Sequence, residues 1–159
     1  MKIVLVNPDI PQNTGNIGRT CVANEIELML VGRIGFSLSD AAIKRAGLDY
    51  WKHLKLKIYK NFDEFLEKEK SFDNMIFLST HGTKNYTDAP FSQFSYLIFG
   101  SETSGFPKDF YYKYIDRMYR IPMKSDKVRS LNLATSVGIV LYHALYLINR
   151  VHPVRDGLP

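Results

Sequence analysis

The chain alternates short apolar runs with segments whose apolar residues recur at helical spacing. The runs are too short for helices and lack the alternation of a half-exposed strand, so they predict strands that are buried on both faces. They lie at residues 3–6, 28–31, 75–78, 96–99 and 118–121. Residues 55–59 alternate charged and apolar side chains, which predicts an edge strand.

Helices are predicted between most of these strands. Capping residues, apolar spacing and terminating glycines place them at residues 15–24, 40–45, 62–70, 107–114 and 132–149. Strands that alternate with helices indicate a mostly parallel sheet with helices on both faces. We therefore expect one α/β domain over residues 1–159, without repeats or linkers.

Composition narrows the class of protein. The 159 residues are 45% hydrophobic and 23% charged, as in an ordinary folded domain. The lone Cys21 excludes an intramolecular disulfide framework and a multi-cysteine zinc site. No apolar run approaches the ~18 residues of a membrane span, and residues 2–8 are too short for a signal peptide, so we expect a cytoplasmic protein that contacts no membrane. The net charge of +5 is weak evidence for an anionic partner.

Four unusual loops follow predicted strands, at residues 7–19, 79–83, 100–107 and 122–132. Ligands of open parallel sheets bind where such loops converge. Two common motifs are absent here. Residues 15–18 lack the Gly-x-Gly-x-x-Gly spacing of a dinucleotide-binding loop, and residues 100–105 lack the Gly-x-Ser-x-Gly sequence of the hydrolase nucleophile turn. The four histidines, His53, His81, His143 and His152, are scattered without metal-ligand spacing, so each is expected to be structural or exposed and no metal is expected.

Three segments remain as candidates for chemistry, and each has a plainer interpretation. The first segment, 7–19, either positions Arg19 on a helix for chemistry, or is an ordinary loop followed by a helix with a surface arginine. The second, 99–107, has two glycines that permit positive φ and close approach to a ligand, or is only a tight turn. In the third, polar residues open the last helix at 130–136, either as ligands or as an N-cap.

Together these segments resemble the motifs of the SPOUT superfamily of RNA methyltransferases, most closely its small TrmL/YibK-like group. The matching segments are Asn-Thr-Gly-Asn-Ile-Gly-Arg (13–19), Arg-Ala-Gly-Leu-Asp-Tyr (45–50), Phe-Gly-Ser-Glu-Thr-Ser-Gly-Phe-Pro (99–107), Arg-Ile-Pro-Met (120–123) and Ser-Leu-Asn-Leu-Ala (130–134). The resemblance implies a C-terminal trefoil knot, a homodimer, and S-adenosyl-L-methionine as methyl donor. It also implies 2′-O-methylation of the wobble nucleotide, cytidine or modified uridine 34, in the tRNA anticodon stem-loop, with leucine isoacceptors as expected substrates.

The same resemblance assigns roles to individual residues. It implies a donor site with apolar walls, in which Gly100 lets the backbone approach the ligand; its residues are Leu78, Gly100, Glu102, Ile121, Met123, Ser130, Leu131 and Asn132. It marks Arg19 as catalytic. Because a guanidinium stays protonated, we expect Arg19 to hold a phosphate and orient the 2′-hydroxyl, while a phosphate or water accepts the proton.

RNA contacts are expected from Asn13, Lys124, Lys127, Arg129 and Arg155, with a solvated charged loop as the plainer interpretation. Tyr142 is expected at the dimer interface or, alternatively, in the core. Alternative functions are a SPOUT methyltransferase for another tRNA or rRNA site, a non-catalytic RNA-binding protein, and a plain nucleotide-binding module.

Overall fold

The centre of the molecule is a seven-stranded parallel sheet. A computed structural model describes residues 1–38 and 50–148, and all the ladders between its named strands are parallel. The strands are β1 (Lys2–Val6), β2 (Glu27–Val31), β3 (Leu56–Tyr59), β4 (Met75–Leu78), β5 (Lys84–Asn85), β6 (Tyr96–Phe99) and β7 (Met118–Arg120). Their order across the sheet is β3-β2-β1-β6-β4-β7-β5. Six of the seven strands were predicted. Five of them are continuous apolar runs, and β3 lies at the edge of the sheet, as its alternation of charged and apolar residues predicts.

Helices cover both faces of the sheet, which confirms the predicted α/β class. They are α1 (Pro11–Ala23), α2 (Phe62–Glu69), α3 (Lys108–Lys113) and α4 (Leu133–Leu147). Alternate residues of β1 divide the core: Ile3 and Leu5 pack with α1 and α4, whereas Val4 and Val6 pack with α2 and α3. Both sets are almost wholly buried, as expected for a strand inside a parallel sheet.

Two boundaries differ from the prediction. Helix α1 begins at Pro11, four residues before the predicted start, because proline has no N–H to satisfy and its fixed φ suits the first turn of a helix. Strand β5 was not predicted at all, since it has only two residues and both are exposed. The helix predicted at residues 40–45 lies outside the described residues. Within the described part of the chain no helix is long and apolar enough to cross a membrane.

A largely buried carboxylate joins three strands of the sheet, β1, β3 and β6. Glu69, at the end of α2, accepts hydrogen bonds from Lys2 Nζ (3.0 Å), Lys57 Nζ (3.2 Å), Tyr96 Oη (2.6 Å) and Tyr59 Oη. Burial alone would raise the pKa of this carboxyl, but the four donors outweigh it and lower the pKa to about 2. The ionised form of Glu69 is therefore favoured by folding.

We predict that Glu69→Gln lowers the free energy of unfolding at pH 7 by about 2–3 kcal/mol, because it removes the charge from a site with four donors. The folded pKa lies below the ordinary value of 4.5, so this stability is present above about pH 4.5 and is lost as the pH falls towards 2. Urea unfolding between pH 7 and pH 3 measures both effects. Glu67→Gln, at an exposed position of the same helix, serves as the control and should change stability by less than about 0.5 kcal/mol. A Glu69→Gln variant as stable as the parent at pH 7 would contradict this account.

Candidate active site

A cavity of about 490 Å³ opens at the carboxyl ends of β4, β6 and β7. Its size is that of a small-molecule site. The loops after all three strands contribute to its wall, as the sequence predicts. All eight residues predicted to hold the methyl donor lie on this wall: Leu78, Gly100, Glu102, Ile121, Met123, Ser130, Leu131 and Asn132.

The apolar part of the wall comes from the ends of two neighbouring strands. Leu78 is the last residue of β4, and Ile121 and Met123 follow β7. Strand β7 lies beside β4 in the sheet, and Ser79 N donates to Tyr119 O (2.9 Å), which holds these two strand ends together. Leu131 adds a fourth apolar side chain from the loop before α4. Such a wall suits a flat apolar ring system.

Glu102 fastens the loop after β6 to the start of α1. Its carboxylate accepts hydrogen bonds from Asp9 N (2.8 Å), Ile10 N (3.3 Å) and Asn13 Nδ2 (3.1 Å). Asp9 and Ile10 directly precede Pro11, the first residue of α1, so the carboxylate fixes the chain where it enters the helix, near the positive end of the helix dipole. Glu102 thereby ties the entry of α1 to the cavity wall, on which it also lies.

Two asparagines extend this contact to the third loop. Asn132 Nδ2 donates to Asn13 Oδ1 (2.9 Å), and Asn132 Oδ1 caps α4 by accepting from Thr135 N (3.2 Å). We call Glu102, Asn13 and Asn132 the polar clamp. Asn13 is only 6% exposed and both ends of its amide are bonded inside the protein. The amide of Asn13 is thus committed to bonds inside the protein, although Asn13 also lies on the cavity wall; its direct RNA contact stays a prediction.

Asp9 makes a second link between the loops after β1 and β6. Its Oδ2 accepts hydrogen bonds from Ser101 Oγ (2.6 Å) and Thr103 Oγ1 (2.5 Å). These two hydroxyls, with a smaller contribution from Arg33 3.8 Å away, lower the pKa of the Asp9 carboxyl below its ordinary value. Asp9 was not among the predicted site residues, since nothing in the sequence pairs it with residues more than ninety positions away.

Segment 99–107, which we call the glycine loop, was expected to use its glycines for positive φ and for close approach to a ligand. Gly105 does have a positive φ of 68°. At Gly100, however, a Cβ would lie 2.5 Å from the carbonyl carbon of Gly105, where Ser101 and Gly105 exchange two backbone hydrogen bonds of 3.0 Å. The close approach seen at Gly100 is therefore to the chain's own backbone; Gly100 also lies on the cavity wall, and its approach to a ligand stays a prediction.

Arg19 does not line the cavity. It lies on the exposed side of α1 with its guanidinium 5.2 Å from the centre of the Tyr50 ring. Tyr50 Oη in turn donates to Gly15 O (2.8 Å). Burial raises the pKa of Tyr50, although the nearby Arg19 acts against it. Of the motif at residues 45–50, only Tyr50 lies within the described residues.

The basic loop before α4 is exposed, as a nucleic-acid contact requires. Lys124, Lys127 and Arg129 all face solvent, and Arg129 also lies on the cavity wall. Arg155 lies outside the described residues. Tyr142 is 53% exposed and its hydroxyl is 3.3 Å from Asn24 Nδ2, so its alternative placement in the core is wrong.

Four aromatic residues of the cavity wall were absent from the predicted site: His81, Phe99, Phe106 and Tyr111. His81 was set aside as structural or exposed, and Tyr111 was placed only in a short helix. The position of His81 in a loop directly after β4 was the one available signal. Within residues 1–38 and 50–148 no three His, Cys, Asp or Glu side chains are grouped to hold a metal ion.

A parallel sheet with a partly apolar cavity at its carboxyl edge defines an α/β protein that binds a small ligand there. The model of the SpoU rRNA methylase family matches residues 1–142. The chain therefore belongs to this family.

Relatives with similar sequences cover nearly the whole chain. A Synechocystis protein provisionally described as a tRNA (cytidine(34)-2′-O)-methyltransferase is 44% identical over 145 residues, 91% of this chain and 94% of its own. A solved RNA methyltransferase from Bacillus anthracis, also provisionally described, is 42% identical with a TM-score of 0.89, over 98% of this chain and 99% of its own. A third structure, described as giving insight into the 2-OH methylation of C/U34 on tRNA, is 39% identical with a TM-score of 0.84 and covers 91% of this chain and 88% of its own.

The fold is also shared with a more distant enzyme. The SpoU methyltransferase AviRb from Streptomyces viridochromogenes, solved in complex with the cofactor AdoMet, has a TM-score of 0.78 at 22% identity. The match covers 92% of this chain and 60% of the AviRb chain.

We predict opposite effects for two glycine-to-alanine substitutions. Gly100→Ala should lower the free energy of unfolding by about 2 kcal/mol or more, because its Cβ would overlap backbone that cannot move cheaply. Gly138→Ala, inside α4 with nothing within 4 Å of the new Cβ, should raise it by about 0.5–1 kcal/mol through helix propensity. Urea unfolding of the two variants checks this. Equal stabilities would show that the Gly100–Gly105 contact is not a constraint.

Proposed function

We propose that this chain is a tRNA 2′-O-methyltransferase that uses S-adenosyl-L-methionine and acts on the ribose of nucleotide 34. The observation that carries the proposal is the single cavity onto which all eight expected donor-site residues converge. Family membership and relatives that share this activity support it. Leucine isoacceptors stay the predicted substrates, and one domain over residues 1–159 and a cytoplasmic location also stay predictions.

The cavity fits the proposed donor. Leu78, Ile121, Met123 and Leu131 offer an apolar slot for an adenine ring, and the Ser101–Gly105 turn beside it presents backbone groups. The volume of about 490 Å³ is within the usual range for such ligands. When bound, S-adenosyl-L-methionine supplies an electrophilic methyl group on a sulfonium. The chain's contribution is alignment, because an in-line displacement depends on the geometry of donor and acceptor.

Arg19 would orient the acceptor. The 2′-hydroxyl must lose a proton as it attacks, yet a guanidinium is always protonated and cannot accept it. The fork of N–H donors on Arg19 suits a phosphate next to the reacting ribose. That phosphate, or water, would accept the proton. Arg19 lies outside the cavity wall of its own chain, so a second copy that brings its Arg19 to this cavity would complete the site.

The exposed side of α4 supports such a dimer. One side of the helix is buried through Val137, Val140, Leu141, Ala144 and Leu145. The other presents Tyr142, Tyr146 and Leu147, which are 53%, 70% and 49% exposed. The helix Leu133–Leu147 contains no charged residue, and an uncharged surface of this kind is typical of an interface. The exposed Lys124, Lys127 and Arg129 would then bind tRNA phosphates.

The strand order supports a C-terminal trefoil knot. Strands β4 and β5 are joined by residues 79–83, yet β7, from much later in the chain, lies between them. Gly82 of that connection lies so close to β7 that a Cβ there would be 2.5 Å from the carbonyl carbon of Tyr119. Pulling the two ends of a knotted chain apart should give a contour length shorter than roughly 3.3–3.6 Å per residue. A full contour length would exclude the knot.

We predict that the purified protein methylates an anticodon stem-loop at nucleotide 34, and that a 2′-deoxy residue there abolishes transfer. Arg19→Lys should lower kcat by roughly 100-fold, because an ammonium keeps the charge but not the fork, while affinity for S-adenosyl-L-methionine stays unchanged. Mass mapping of the product and steady-state kinetics measure these effects.

Arg117→Lys serves as the matched control, since Arg117 bonds Asp73 on the surface away from the cavity. Near-full turnover by Arg19→Lys would exclude positioning by the guanidinium fork. The family description names rRNA, so rRNA is the competing acceptor. Methylation of rRNA without methylation of nucleotide 34 would overturn the tRNA proposal.

We also predict a dimer of twice 18.3 kDa in sedimentation equilibrium. Tyr142→Arg with Tyr146→Arg should give monomers, because four charges would face each other across the interface of two copies. Phe94→Arg, at a position 64% exposed elsewhere, should stay dimeric. A monomeric parent, or a dimer that survives both α4 substitutions, would exclude this interface.

A further inference from the structure

Two aromatic rings on the cavity wall lie outside the apolar slot that Leu78, Ile121, Met123 and Leu131 form for the adenine of the methyl donor, here called the donor slot. His81, in the connection between β4 and β5, and Tyr111, in α3, both line the cavity. Their ring centres are 5.3 Å apart and their planes meet at 82°. His81 is exposed and Tyr111 is half-buried, so the pair is open to a ligand at the cavity mouth.

The backbone around His81 is held firmly. His81 N donates to Ser79 Oγ (3.2 Å), and Gly82 N donates to Ser79 O (3.0 Å). Gly82 itself is buried against the backbone of Tyr119, too close for any side chain at position 82. The imidazole is thus presented to solvent from a fixed loop, so little conformational entropy is lost when it makes a contact.

Tyr111 is held by its hydroxyl and by a neighbouring ring. Its Oη accepts a hydrogen bond from Phe106 N (3.3 Å), and its ring lies edge-on to Phe106 with centres 6.4 Å apart. The hydroxyl also lies 3.0 Å from where a Cβ on Gly105 would be. These contacts tie Tyr111 to the glycine loop, which lies beside the donor slot.

We propose that the His81 ring, with Tyr111 edge-to-face beside it, forms a stacking platform for the nucleobase of the nucleotide that is methylated. This inference rests on the proposed function and adds the part of the site that receives the acceptor base. Nucleotides in single-stranded loops can be turned out of their stack and held against aromatic or histidine rings. A platform beside the donor slot would hold the base while its own ribose reaches the methyl group.

Stacking also suits the chemistry expected of the acceptor. Every base has a π-face, so a ring platform binds cytosine and uracil without distinguishing their hydrogen-bonding edges. The adenine of the donor has a separate apolar slot between Leu78, Ile121 and Met123. A protein that accepts either pyrimidine at nucleotide 34 needs a contact of this tolerant kind.

The test compares a normal anticodon stem-loop with one that is abasic at nucleotide 34 but keeps its 2′-hydroxyl. His81→Ala and Tyr111→Leu should each raise KM for the normal stem-loop by roughly tenfold, as expected for loss of one stacked contact. On the abasic stem-loop both variants should match the parent, because the base that the rings contact is already missing. His81→Phe should restore the parent KM, since it restores a ring.

Tyr112→Leu is the matched control, because Tyr112 neighbours Tyr111 but is 86% exposed and does not line the cavity; it should leave both KM values unchanged. Affinity for S-adenosyl-L-methionine should stay at the parent value in His81→Ala, His81→Phe and Tyr112→Leu; Tyr111→Leu is left out of this comparison because the Tyr111 hydroxyl bonds Phe106 N in the glycine loop. Equal losses on normal and abasic stem-loops, or a matching loss of donor affinity, would overturn the platform. Absence of parental turnover on both stem-loops would instead contradict the proposed function, and the platform with it.

Discussion

The polar clamp is the contact on which the site depends. Glu102 bonds two backbone N–H groups at the start of α1, and Asn13 passes the connection on to Asn132 at the start of α4. Glu102 lies in the loop after β6, Asn13 in the first turn of α1 and Asn132 in the loop before α4. A carboxylate that bonds N–H groups is worth more than a neutral acceptor, and the clamp is partly buried, where such bonds are least screened. These bonds join three segments that line the cavity.

The parallel sheet determines where the clamp can form. Because all its ladders run in one direction, the ends of β1, β4, β6 and β7 meet at one edge. Leu78 from β4, Gly100 after β6 and Ile121 after β7 thereby become neighbours although they are distant in sequence. A second carboxylate, Glu69, accepts from four donors on β1, β3 and β6. Carboxylates thus join separate segments at two places in the molecule.

The sequence predicts the strands well because a fully buried strand must be apolar throughout, as in β1, β4 and β6. Family resemblance to known motifs predicted which residues gather at the cavity. It could not predict that Asn13 is internal, or that Asp9 binds Ser101, because these bonds join residues 89 and 92 positions apart and leave no local pattern. The two-residue β5 likewise depends on packing between distant segments, as does the absence of Arg19 from the cavity wall of its own chain.

The central claim is that the cavity at the carboxyl edge serves methylation of nucleotide 34. Mass analysis of tRNA from cells that lack this protein, and from the same cells supplied again with the parent or the Arg19→Lys variant, tests it most directly. The account predicts that 2′-O-methylation of nucleotide 34 disappears, returns with the parent protein and stays low with the variant. Unchanged 2′-O-methylation of nucleotide 34 in the deficient cells would contradict it.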